Sequence, residues 1–113
     1  MPGETPAALS LQEVAARLGV PVNRVDQYLR DGQLLAFRDE NGVRRVPASL
    51  LSGGSIVKGL PGVITLLRDA RFADEEILDW LQRPDESLPG TPLEALHENR
   101  GTEVKRRAQV AGY

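Results

Sequence analysis

The sequence predicts a mainly α-helical chain with one small β-hairpin set among its helices. Three observations carry this prediction. Two short amphipathic segments near the front are joined by a glycine turn, an Asn-Gly pair lies between two β-prone runs, and helix-capping patterns recur after residue 60.

Taken in order, residues 1–8 hold two prolines and a glycine with no apolar period, so they read as a disordered tail. Ser10 and Glu13 then form a capping-box pattern, and Leu9 with Val14 stands at hydrophobic-staple spacing. Leu11, Val14, Ala15 and Leu18 follow as one apolar stripe, and Gly19 ends the helix. After the turn at Val20-Pro21, a second helix is expected from about Val22 to Arg30, with Val22, Val25 and Leu29 inward and Gly32 as its stop. Leu34–Arg38 and Val43–Val46 are the two β-prone runs around Asp39-Glu40-Asn41-Gly42. A short turn through Ser49-Leu50-Leu51 precedes Ser52-Gly53-Gly54-Ser55, a linker by composition.

The rest reads as helices. Val63, Ile64, Leu66, Leu67 and Ala70 suit one, and Asp74 is expected to cap a second carrying Ile77, Leu78, Trp80 and Leu81. Thr91-Pro92-Leu93-Glu94 opens a third with a capping box and proline at the first helical position. Thr102 is the expected cap of a last, mostly polar helix. The expected divisions are a tail at 1–8, a front domain at 9–52, a linker at 53–59 and a helical subdomain at 60–113.

Composition narrows the function. The chain has 113 residues, 41% hydrophobic and 27% charged, an ordinary globular balance with little room for a catalytic cleft beside a core. With no cysteine and one histidine, His97, it lacks thiol chemistry, thiolate zinc sites and an HExxH motif. Gly53–Gly59 lacks the spacing of a phosphate-cradling loop, so no cofactor is expected. The N-terminus lacks a signal-peptide pattern and no apolar run spans a membrane, so the expected address is cytoplasmic, away from membranes. A binding module, not an enzyme, is the expectation.

The net charge of −2 hides an uneven distribution. Residues 14–60 hold seven Lys/Arg against four acids, residues 61–98 three against nine, and residues 99–113 four against one. Screening beyond roughly 8–10 Å lets a basic front engage an anion despite the acidic middle.

Two helices joined by a glycine turn and followed by a hairpin are the grammar of a winged helix-turn-helix. Burying Val22, Val25 and Leu29 turns Asn23, Arg24, Gln27 and Arg30 outward. Such side chains read base edges in a major groove, so the expected partner is double-stranded DNA. Arg17 and the wing residues Arg38, Arg44 and Arg45 are the candidate phosphate contacts. Arg44 and Arg45 point to opposite strand faces, so at most one is expected to touch DNA directly. Tyr28 is placed at the core margin.

Ser10–Val20 and Val25–Leu34 resemble MerR- and excisionase-like winged helices. Gly59-Leu60-Pro61-Gly62, Leu66–Ala70, Glu76–Leu81 and Leu88–Leu96 extend the likeness. Together these segments resemble a small actinobacterial family of DNA-binding transcriptional regulators over nearly the whole chain. The resemblance implies a winged helix-turn-helix ahead of a compact helical part. For a mycobacterial member it also implies phosphorylation of the N-terminal tail by a membrane Ser/Thr kinase, for which Thr5 is the tail hydroxyl before Ser10. Pro21 departs from the Ser or Thr that opens many such recognition helices, and a missing cap costs about 1 kcal/mol.

The C-terminal half is also similar to the toxin-binding part of helix-turn-helix antitoxins, which makes a protein-interaction adaptor the alternative function. Trp80, Leu78 and Leu81 are expected in the core, His97 at the surface, and Asp74-Glu75-Glu76-Asp79 as an acid-enriched helix start. Lys105-Arg106-Arg107 reads equally as a phosphate contact or a solvated tail. With no heptad or long apolar helix, monomer and dimer both stay open.

Overall fold

The structure, a computed structural model, describes residues 8–84 and 90–111. It divides between Ile56 and Val57 into two compact units. Residues 1–7 of the tail expected at 1–8, with the Thr5 site, lie outside the described residues.

The first unit opens on a strand. Ala8, expected in the tail, joins Leu9 in β1 (Ala8–Leu9), which pairs antiparallel with the wing. Helix α1 (Leu11–Leu18) starts with the expected reciprocal box: Glu13 N–H donates to Ser10 Oγ at 3.1 Å, and Ser10 N–H donates to Glu13 Oε1 at 2.8 Å. Helix α2 (Val22–Arg30) follows after Gly19 and Pro21, and Pro21 at its N-cap makes no side-chain bond. The hairpin is β2 (Phe37–Arg38) with β3 (Arg44–Pro47), and the sheet order is β1-β3-β2. Phe37 stands opposite Arg45, Arg38 opposite Arg44, and Leu9 opposite Val46. Leu9, Val14, Val25, Leu34, Leu35, Val46 and Leu50 are buried and form an apolar core under the helix pair.

One expectation needs correction in this unit. Val22 is not inward but 40% exposed. As the first helical residue its Cβ leans toward the helix N-terminus, past the point where a neighbour could cover it. The Ser52–Ser55 stretch, a linker by composition, is ordered. It turns a second hairpin between β4 (Leu51–Ser52) and β5 (Ser55–Ile56), and Val57 beyond it is buried. Small polar residues and glycines suit a two-residue turn as well as they suit a linker.

The second unit packs four helices: α3 (Leu60–Asp69), α4 (Asp74–Gln82), α5 (Pro92–His97) and α6 (Gly101–Ala111). Helix α3 lies against α4 and α6, and α5 against α4 and α6. Leu60, Val63, Ile64 and Leu67 meet Ile77, Leu81, Leu96 and Val104 in a core with no buried polar side chain among the described residues. Gly59 is required where two backbones approach: at φ 90°, a Cβ there would lie 3.1 Å from Leu96 Cδ2 and 3.7 Å from Gly101 Cα.

The N-cap of helix α4 is Ala73, not Asp74. Ala73 N–H donates to Glu76 Oε1 at 2.7 Å, while alanine offers no oxygen in return, so only half a capping box exists. Asp74 is engaged instead by Arg68, whose Nε and Nη2 donate to its two oxygens at 3.0 Å each. Thr91 caps α5 as expected. Helix α6 starts one residue before the expected cap Thr102, because Val104 N–H already reaches the Arg100 carbonyl. Trp80, expected in the core, is half-buried and lines a surface concavity with Phe72 and Glu75. No helix among the described residues is long and apolar enough to cross a membrane.

Candidate nucleic-acid interface

Helix α2 is amphipathic by sequence: Val25 is fully buried, while Asn23, Arg24, Gln27 and Arg30 are exposed. Leu29 and Tyr28 are half-buried at the margin. The face expected to read DNA is therefore open to solvent.

Its side chains are not independent. Gln27 Nε2 donates to both oxygens of Asp31, at 3.0 and 3.1 Å. Its Oε1 accepts from Arg30 Nη2 at 2.8 Å. Arg30 Nη1 lies 3.9 Å from Asp26 Oδ2, and Asp26 Oδ1 lies 2.9 Å from Arg44 Nη1 on the wing. The chain Asp31–Gln27–Arg30–Asp26–Arg44 thus runs along one helix and across to β3.

The wing turn has its own organiser. Asp39 N–H donates to the Val43 carbonyl and Gly42 N–H to the Asp39 carbonyl, both at 2.9 Å, and Gly42 takes φ 77°. This is the bonding of a short hairpin loop with its left-handed residue at the end, which is why glycine follows Asn41. Asp39 Oδ1 accepts the N–H groups of Asn41 at 2.8 Å and Val43 at 2.9 Å, and Oδ2 accepts Arg45 Nε at 3.1 Å. The Val43 N–H, then the Arg45 guanidinium, hold the Asp39 carboxyl below its ordinary range. Arg38 Nη1 donates to the Gly42 carbonyl at 2.9 Å. At the start of α1, the Ser10 N–H is the main cause holding Glu13 low, with the charges of Arg45 and Arg17 assisting.

The eight candidate DNA contacts therefore fall into three groups. Gln27, Arg30 and Arg44 are gathered by two carboxylates, and Arg38 and Arg45 are engaged within the wing. Arg17, Asn23 and Arg24 are exposed and make no side-chain hydrogen bond or ion pair among the described residues. Arg44 and Arg45 take partners on different elements, α2 and the wing turn.

Sequence reasoning passed over Asp26, Asp31 and Asp39. The spacing of Asp26 to Arg30 and of Gln27 to Asp31 is the i, i+4 relation of helical pairs, and Asp39 heads an Asx-type turn, so those local signals were present. Among the described residues, no group of three or more acidic or histidine side chains could hold a metal ion.

Two family models match the chain: the winged helix-turn-helix domain of the DNA-binding protein Rv2175c over residues 3–51, and the Rv2175c C-terminal domain of unknown function over residues 57–112. The chain is 42% identical over 115 residues to the DNA-binding protein Rv2175c of Mycobacterium tuberculosis, spanning 91% of this chain and 79% of that protein. The NMR structure of Rv2175c superposes with a TM-score of 0.88 at 37% identity, covering 100% of this chain and 86% of that one. With both halves matched and the wing, helix pair and C-terminal helices in place, this chain belongs to the Rv2175c family of winged helix-turn-helix DNA-binding proteins.

Proposed function

We propose that this chain is a transcriptional regulator that binds double-stranded DNA, with α2 in the major groove and the β2–β3 wing against the backbone. The observation that carries this reading is the solvent-open face of α2, where Asn23 and Arg24 stand at the helix start. Recognition helices contact base edges with their N-terminal residues. Arg17, at the end of α1, is the matching phosphate contact. The role is binding, without chemistry on the DNA.

A titration on genomic and random duplexes at two salt concentrations tests this. Affinity should fall steeply with salt. Arg24→Ala should weaken binding by about 5- to 150-fold, the scale of a lost base contact of about 1–3 kcal/mol. Lys58→Ala should do less. Negligible effects from both would remove α2 from the interface, and absence of binding at low salt would favour the C-terminal helices as a protein-docking module.

The same reading takes the protein as cytoplasmic and Thr5 as a target of a Ser/Thr kinase. Its support is the family resemblance and the position of Thr5 as the tail hydroxyl ahead of Ser10. A phosphate adds about −1.5 to −2 charge, enough to oppose DNA. Thr5→Glu should then weaken DNA binding, and incubation with kinase and ATP should modify the wild-type chain but not Thr5→Ala.

A further inference from the structure

Asp31 occupies the C-cap of α2 and is exposed, with its carboxylate at the negative end of the helix dipole. An acid there is unfavourable for the helix. A carboxylate on a DNA-facing helix also repels phosphate. Non-specific affinity does not account for it, and the i, i+4 pairing with Gln27 does no more than offset the unfavourable dipole. What Asp31 does make is the pair of bonds at 3.0 and 3.1 Å to Gln27 Nε2, opposite the 2.8 Å bond from Arg30 to Gln27 Oε1.

We propose that Asp31 is a specificity-setting positioning residue that, with Arg30, locks the Gln27 amide in one orientation suited to adenine in an A·T pair. This rests on the DNA-binding reading above and names what one position of that interface selects. A free glutamine amide turns over easily and presents its oxygen and nitrogen either way round. Here a carboxylate on the amino side and a guanidinium on the carbonyl side decide between the two. The amide oxygen has two lone pairs and the amino group two N–H donors. Arg30 uses one lone pair and Asp31 one N–H, shared between its oxygens, which leaves one acceptor beside one donor. That pair complements adenine N6–H and N7 in the major groove. Asp26, between Arg30 and Arg44, anchors the other end of the relay at 3.9 and 2.9 Å.

The test starts from a randomised duplex pool, from which wild-type protein selects a preferred sequence. Wild type, Asp31→Ala, Gln27→Ala, the double variant and Glu40→Gln are then titrated on that duplex, on versions with each A·T pair replaced, and on a scrambled duplex. Glu40 is an exposed wing acid and controls for loss of charge alone. The expected result is that Asp31→Ala binds the scrambled duplex more tightly yet loses about tenfold discrimination at one A·T position. Gln27→Ala should lose discrimination at that same position, and the double variant should lose no more. The thermal midpoint of Asp31→Ala should not fall, so the loss cannot be ascribed to unfolding. If Asp31→Ala tightens every duplex equally, as Glu40→Gln does, Asp31 acts by charge alone and the proposal is overturned. Wild-type binding without sequence preference overturns it while leaving DNA binding intact, whereas absence of binding to any duplex removes both.

Discussion

Arg71 sits at φ 73° just after α3, a left-handed conformation that costs a residue with a Cβ about 1–2 kcal/mol. The position is dictated by the helix end: Phe72 N–H bonds the Leu67 carbonyl at 3.0 Å and Arg71 N–H the Arg68 carbonyl at 2.9 Å. These are the two bonds of a Schellman motif. Glycine relieves the strain but adds about 0.4–1 kcal/mol of unfolded-chain entropy to overcome. Arg71→Gly should therefore stabilise the chain by about 0.5 kcal/mol and raise the thermal midpoint by about 1–3 °C in a denaturation scan. Asn99 ends α5 in the same way at φ 65°, and because asparagine tolerates that region, Asn99→Gly should gain less. At this scale the sequence was readable where a residue's job is local. Ser10 and Thr91 cap as their spacing predicts. Val22 was misplaced because helical periodicity says which side of a helix a residue is on, and does not say where the neighbouring helix stops.

Among the elements, the wing depends on a carboxylate as much as on its Asn-Gly turn. Asp39 is held low chiefly by the Val43 N–H, and Glu13 chiefly by the Ser10 N–H. A folded-state value below the unfolded one adds stability that is present above the ordinary carboxylate range and is lost as pH falls through the folded value. The wing turn and the start of α1 should therefore loosen in acid, below about pH 4, while remaining ordered at neutral pH. Amide hydrogen exchange read at Asn41, Val43 and Glu13 checks this, and full protection of all three at pH 3 would contradict it. Asp39→Asn keeps an oxygen for the Asn41 and Val43 N–H groups but drops the charge on Arg45. Its wing should be less ordered at pH 7 and change less between pH 7 and pH 3. The first hairpin was legible because Asn-Gly flanked by β-prone runs is a specific signal. The pairs Leu51–Ser52 and Ser55–Ile56, and the Ala8–Leu9 strand, are two residues long, too short for alternation to register.

Across the whole chain, charge is a matter of placement. The first unit, residues 1–56, carries six arginines and six carboxylates, so DNA affinity cannot come from an excess of positive charge there. On the proposed reading it comes from the arginines that no carboxylate holds in a close pair. Arg17 and Arg24 make no ion pair within 4 Å among the described residues, whereas Arg44 is 2.9 Å from Asp26 and Arg45 3.1 Å from Asp39. The outward residue types of α2 were legible in the sequence. The pairing of Arg44 with Asp26 was not, because it joins a strand to a helix eighteen residues earlier in the chain and depends on tertiary packing. The log–log fall of affinity with salt should have a slope of about 2–4, at close to 0.9 per phosphate contact. Arg24→Ala and Arg17→Ala should each lower that slope by up to about one. Arg44→Ala should behave differently, since it removes the nearer of the two arginines paired with Asp26 and leaves only Arg30, at 3.9 Å, to offset that carboxylate. Its affinity should drop at low salt more than its slope does, and adding Asp26→Asn should restore most of the loss. Fluorescence anisotropy across a salt series, with the four proteins of that double-mutant cycle, measures both effects. Strictly additive losses for Arg44→Ala and Asp26→Asn would mean that the wing arginine meets phosphate by itself, independently of the helix.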